Sequence, residues 1–362
     1  MKVGLVLGAG GVLGGAWLTG ALHALARETD WDPGSADHIV GTSAGSVIGA
    51  FTAAGVPPWF MVAHSRGESF EGLTGPDGRP AAQADRSGGA SFKLHPGLPP
   101  IGPGSWRLAF SSLARPMRTT PLGMVVGWLP RGFVATASIS DIVRRTVPEG
   151  WVSHPNYWAV ACDYSTGRRV PFGREDAPPA ELADAVAASC AIPGFYHPVL
   201  ISGRRYVDGG VRSASNLDLL AGRDLDLVIA FNPTSTRERA DSGGILDRVV
   251  AASRTASGRR LGHEAKRLRA EGTQTVLLQP VADDLAVMGR NLMSGRRRNE
   301  VIETAERTVA EQLREPAIRE LLQDLPDGEP HKLRRPDGPP STWPELVPNV
   351  TRTPAAAGGT EA

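Results

Sequence analysis

A serine framed by glycines, Gly41-Thr42-Ser43-Ala44-Gly45, is the stretch of this chain best suited to covalent chemistry. It follows an apolar run, His38-Ile39-Val40, and leads into Ala44 to Ala54, which has the composition of a helix. A G-x-S-x-G turn between a strand and a helix is the setting of a nucleophile elbow. Small neighbours at 41 and 45 let the turn close tightly, and the hydroxyl then projects at the N-terminus of a helix, where developing negative charge is favoured. The same letters also spell an ordinary serine N-cap, so the motif alone leaves both readings open.

A second candidate lies upstream. Gly8-Ala9-Gly10-Gly11-Val12-Leu13-Gly14-Gly15 follows a short apolar strand, Lys2 to Leu7, and precedes a helix with Leu18, Leu22 and Leu25 on one face. Read as a dinucleotide fingerprint, Gly8 and Gly10 fit, but the third glycine is replaced by Leu13 and no acidic residue closes the next strand. Read as an oxyanion loop, the glycines bring backbone N–H groups close to an oxygen at a helix start, where such groups lack partners. The two loops share one crevice if their strands pair.

These loops need a scaffold, and the chain supplies one. The first 54 residues read strand, glycine turn, helix, strand, elbow, helix, a parallel βαβ opening that predicts α/β layers. Further strands are expected at 157–163, 168–172, 199–201, 204–207, 225–231 and 274–279. Helices are expected at 57–64, 138–145, 181–189, 245–270 (weakened near Gly258) and 299–314. The hairpin ending at Val207 delivers Asp208-Gly209-Gly210, which by itself is also a common turn. Residues 65–137 read as a loop-rich insertion, and residues from 326 onward as a disordered tail.

Hydrophobic content of 41% and charged content of 21% describe a globular protein, and a net charge of +1 gives no global field for nucleic acid. Cys162 and Cys190 have no metal-ligand spacing and read as buried reduced thiols. The N-terminus resembles a signal peptide only until its glycines are counted. Six fall between residues 4 and 15, so a buried first strand fits better and the expected location is cytoplasmic. No apolar stretch is long enough to span a membrane. Between Asp85 and Asp141 the chain has no acidic residue but carries Arg86, Lys93, Arg107, Arg115, Arg118 and Arg131. With Trp106 and Trp128 nearby, residues 86–131 are an expected peripheral contact with an anionic membrane, as a lid or flap.

Taken together, Gly10-Gly11-Val12-Leu13-Gly14, Gly41-Thr42-Ser43-Ala44-Gly45, Ser189-Cys190-Ala191-Ile192-Pro193 and Asp208-Gly209-Gly210 resemble the patatin-like phospholipase family in order and spacing. The resemblance runs along about residues 3 to 232. It implies a three-layer α/β/α fold with a central, mainly parallel sheet as the catalytic core (1–232), the segment 233–325 packing on that core. It also implies a Ser–Asp dyad with Ser43 as nucleophile, Asp208 as its partner, Gly10 and Gly11 as oxyanion donors, an acyl-ester lipid as substrate and no cofactor or metal. Leu13 stands where the family often has Arg or Lys, which removes a cation beside the oxyanion loop. The chemistry is coherent, since a serine hydroxyl needs a base to take its proton and an aspartate within hydrogen-bond reach can do so. Two other readings keep the motifs. One is an α/β-hydrolase triad completed by His197 or His263; the other is a catalytically idle lipid-binding protein of the same fold.

Overall fold

The computed structural model describes residues 1–68, 73–74, 92–96, 102–109, 126–148, 150–236, 244–335 and 351–352. Its centre is an eight-stranded sheet. The strands are β1 (Val3–Leu7), β2 (His38–Thr42), β3 (Tyr157–Asp163), β4 (Arg169–Phe172), β5 (Val199–Ile201), β6 (Arg204–Asp208), β7 (Leu227–Phe231) and β8 (Gln274–Leu278). The order across the sheet is β5-β6-β3-β2-β1-β7-β8, with β4 pairing β3 off this path. From β3 to β8 every neighbour is parallel; β4, β5 and β6 enter antiparallel.

The central strands β1, β2, β3 and β7 are buried on both faces, as parallel strands covered by helices must be. Their side chains alternate between two cores. Leu5, Leu7 and Ile39 join one, and Val6 and Val40 join the other. The first core packs α1 (Gly11–Thr29), α2 (Ala44–Ala53), α3 (Pro58–Arg66), α4 (Ala137–Thr146) and α5 (Leu182–Ser189). Helix α1 is apolar nearly all round, with Leu13, Trp17, Leu18, Leu22 and Leu25 all buried. Such a helix needs cover on both sides. Helices α2 and α3 cover part of it and a later helix, α8 (Arg298–Leu313), runs along another part, while Trp17 meets Phe231 of β7 edge-on. The second core is covered by α6 (Ile245–Ala270), which buries Leu261, Ala265 and Leu268 in it.

The chain ends with α7 (Ala282–Met288), α8 (Arg298–Leu313), α9 (Pro316–Leu322) and α10 (Pro330–Leu333). Several boundaries differ from the expectations. Helix α1 begins inside the glycine run, at Gly11, and α6 is continuous through Gly258. The stretch from 326, expected as a disordered tail, departs from that expectation as far as Arg335. There the Trp59 indole donates to the His331 carbonyl at 3.0 Å, Gly328 N–H donates to the Asp30 carbonyl at 2.7 Å, and Leu333 is buried. Beyond Arg335 only Thr351 and Arg352 are described, and most of the expected lid between 69 and 125 also lies outside the described residues. No described helix is long and apolar enough to cross a membrane.

Candidate active site

The elbow is built as its letters require. Ser43 sits between β2 and α2 with φ 53° and ψ −123°, a conformation that costs a non-glycine residue on the order of 1–3 kcal/mol and is held by its surroundings. The flanking glycines are obligatory for close approach. A Cβ on Gly45 would overlap the Leu7 carbonyl, and one on Gly41 would strike the backbone of Gly45 and Ser46. The turn is pinned from four directions. Ser43 N–H donates to the Ser189 hydroxyl at 2.9 Å, and that hydroxyl donates to the Val160 carbonyl at 2.6 Å. The Ser46 hydroxyl donates to the Ser43 carbonyl at 2.7 Å, and the Tyr157 hydroxyl to the Ser46 carbonyl at 2.5 Å.

Sheet order brings the carboxylate to the hydroxyl. Strand β3 lies between β2 and β6, with Val160 opposite Thr42 on one side and Ala161 opposite Asp208 on the other. Ser43 and Asp208 therefore flank the same level of one strand, and, against the burial that raises it, the Ser43 side chain lowers the pKa of the Asp208 carboxyl group. Asp208 is held by its own N–H donating to the Ala191 carbonyl at 2.9 Å and by Gly210 N–H donating to its Oδ1 at 2.7 Å. Burial raises its pKa from the usual carboxylate value to about 6, against the opposing effects of the Ser43 side chain and of Gly210 N–H.

The glycine turn lies beside the elbow, because β1 and β2 pair in parallel with Leu7 opposite Gly41. Its N–H groups divide cleanly. Gly8 donates to the Phe231 carbonyl, Ala9 to Ala214, Leu13 to Leu292 and Gly14 to Gly10. Gly10, Gly11 and Val12 have no acceptor among the described residues. These are the orphan donors of a helix start, and Gly11 and Val12 are half-buried rather than sealed. Gly11 has φ 63°, a left-handed conformation that favours glycine. Sequence reasoning singled out Gly10 and Gly11 and missed Val12, which carries no side-chain signal for a backbone role. Leu13 is buried in the first core.

Two further residues brace the site: Ser189, read in the sequence only as the first residue of the motif at 189–193, and Asn216, which no motif singles out. Ser189 is fully buried at the end of α5. Asn216 is fully buried with φ 51° and donates from Nδ2 to the Thr42 hydroxyl at 3.0 Å and to the Ser213 carbonyl at 2.7 Å. It ties β2 to the loop that follows Asp208. That loop is gripped from α6 by the buried Glu264 carboxylate, which accepts from the Ser215 hydroxyl at 2.6 Å and from Leu217 N–H at 3.1 Å.

The histidines considered for a triad lie elsewhere. The interactions that tune the Asp208 carboxyl group come from Ser43 and Gly210, with no histidine among them. His263 is exposed on α6. His197 stacks on His95 with ring centroids 3.9 Å apart and bonds through Nδ1 to the Gly132 carbonyl at 3.3 Å. Cys190 lies under the elbow, 3.8 Å from the Ser46 hydroxyl, and burial pushes its thiol pKa far up, so it stays protonated. Burial raises Cys162 to about 12. Both cysteines are free and buried.

A family model described as patatin-like phospholipase matches residues 5–221, more than half of the chain. An uncharacterized NTE family protein of Mycobacterium bovis and two uncharacterized NTE family proteins of Mycobacterium tuberculosis strains are each 36% identical to it over 103 residues. That match covers 28% of this chain and 27% of each relative, so the chain spans about a quarter of the length of the curated relatives it matches.

Proposed function

Because the chain belongs to the patatin-like phospholipase family, we propose that it is a serine acyl hydrolase cleaving acyl esters of lipids, of phospholipase A or lysophospholipase type, through a Ser43–Asp208 dyad. The observation that carries this reading is the Ser43 hydroxyl, held at a strained turn on one side of β3 with the buried Asp208 carboxylate at the same level on the other. Family membership supports lipid acyl hydrolysis in general; the roles of the individual residues rest on this geometry.

The reaction runs in two halves. Ser43 Oγ attacks the ester carbonyl carbon while its proton passes to Asp208. The carbonyl oxygen becomes an oxyanion that accepts from Gly10 and Gly11 N–H, with Val12 N–H a third candidate donor; each such donor contributes about 3 kcal/mol to lowering the barrier. The carbon–oxygen bond to the alcohol then breaks, and the alcohol leaves with the proton held by Asp208. In the second half Asp208 takes a proton from water, the hydroxide attacks the acyl-Ser43 carbonyl, and the acid departs as Ser43 Oγ regains its proton. Each half begins with Asp208 as the carboxylate, so with its pKa at about 6 the rate rises with pH through that region and levels off above it.

Labelling by a fluorophosphonate probe tests the reading, alongside a panel of p-nitrophenyl esters, phospholipid and lysophospholipid. Wild type is expected to label and to hydrolyse at least one ester class, and Ser43→Ala to do neither. A wild-type protein that binds lipid but neither labels nor turns over would be an idle binder, and the proposal would fall.

A further inference from the structure

Exposed large apolar side chains are confined to few places on this molecule. Apart from Met1, those among the described residues are Phe92, Leu94, Trp106, Trp128, Phe133 and Leu200. Five of the six lie on three short segments that are bonded to one another. His95 N–H donates to the Phe133 carbonyl at 2.6 Å and Ala135 N–H to the Lys93 carbonyl at 2.8 Å, joining 92–95 to 133–135. Gly104 N–H donates to the Leu129 carbonyl at 2.8 Å and Ser105 N–H to Gly127 at 3.2 Å, joining 104–105 to 127–129. The Trp106 and Trp128 rings meet edge-on with centroids 6.3 Å apart, yet Trp106 remains 57% exposed and Phe133 51%.

This surface is anchored next to the dyad. Val134 N–H donates to the Phe195 carbonyl, His197 N–H donates back to the Val134 carbonyl, and Phe92 packs edge-on against Phe195 at 5.4 Å. Tyr196 N–H in turn bonds the Ile192 carbonyl, one residue from the Ala191 carbonyl that holds Asp208 N–H. The charge is one-sided. Lys93, Arg107 and Arg131 sit among these aromatics, no acidic residue occurs from 86 to 140, and none of the three pairs with a carboxylate among the described residues.

We propose that this face docks on an anionic lipid surface, Trp106, Trp128, Phe92 and Phe133 entering the headgroup region and Lys93, Arg107 and Arg131 meeting lipid phosphates. Tryptophan and other amphipathic rings favour the interface, and cations beside them gain from its negative potential. A protein-binding patch would need apolar cover more than a uniform positive rim; here the aromatics and the cations share one face. The inference rests on the acyl-ester reading only in explaining why the dyad opens beside that face.

The test is cosedimentation of the full chain with ether-linked vesicles, which an esterase cannot degrade, made of phosphatidylcholine alone or with phosphatidylglycerol. Hydrolysis of soluble p-nitrophenyl butyrate is read in parallel. Wild type is expected to bind the mixed vesicles more tightly. Trp106→Ala/Trp128→Ala is expected to lose binding to both compositions, and Lys93→Gln/Arg107→Gln to lose about 25-fold on the mixed vesicles alone, about fivefold for each charge. All variants are expected to keep butyrate hydrolysis, which also reports that they fold. Equal binding of wild type and variants, or none by an active wild type, would overturn the proposal. Vesicle binding without any ester hydrolysis would instead sink the hydrolase reading and leave the docking face standing.

Discussion

Replacing Asp208 by Asn is expected to make the protein more stable while removing its activity. The carboxyl group is buried, and burial raises its pKa from 3.8 to about 6. Between those values the folded state binds more protons than the unfolded chain, so folding stability falls as pH rises from about 4 to 6 and stays reduced above it. A rise of about two pH units corresponds to about 3 kcal/mol of destabilisation at pH 7. Asn keeps the shape, can still accept from Gly210 N–H and can donate to Ser43, without the charge. Asp208→Asn should therefore gain up to about 3 kcal/mol at pH 7 in urea unfolding, and the gain should vanish near pH 4, where Asp208 is protonated in the folded state. Its esterase rate should fall by a factor of about 10² to 10⁴, the range for loss of a general base. An Asn variant no more stable than wild type at pH 7, or one that gains equally at both pH values, would refute the assignment of burial as the cause.

Other outcomes follow from the same geometry. Ser189→Ala removes the acceptor of Ser43 N–H and the donor to the Val160 carbonyl; it should cost on the order of 2–4 kcal/mol in unfolding free energy and lower kcat more than it raises KM, both read on the purified variant. Gly45→Ala places a methyl group on the Leu7 carbonyl, so soluble expression should collapse, whereas Gly222→Ala, with open space around it, should express at near-normal yield despite a φ penalty near 1 kcal/mol. His197→Ala and His263→Ala should each retain ester hydrolysis within a few-fold of wild type; a loss of a hundredfold or more in either would restore the triad.

The elbow was legible because its requirements are local. Gly41 and Gly45 are dictated by atoms within the same strand–turn–helix and the adjacent Leu7, so spacing alone announces them. Asp208 was less legible, since D-G-G is a common turn until sheet order sets Ala161 between the two sites. Helix α1 starting at Gly11 ran against glycine's low helix propensity. Tertiary cover overrides that preference, through Leu13 N–H on the Leu292 carbonyl and α8 packed along the helix. Helices α7, α9 and α10 are seven residues or fewer, too short for a period to show. Ser189 showed only as one letter of the motif at 189–193, and its bonds to Ser43 and Val160, like that of Asn216 to Thr42, join residues far apart in the chain, which no spacing rule reaches.

The grip of Glu264 on the loop after Asp208 comes from beyond the stretch that the family model covers. The portion that the family model covers thus borrows a brace from a helix outside it. A change confined to that helix, such as loss of the Glu264 carboxylate, would loosen the loop that follows Asp208 while leaving every residue of the four motifs as it is.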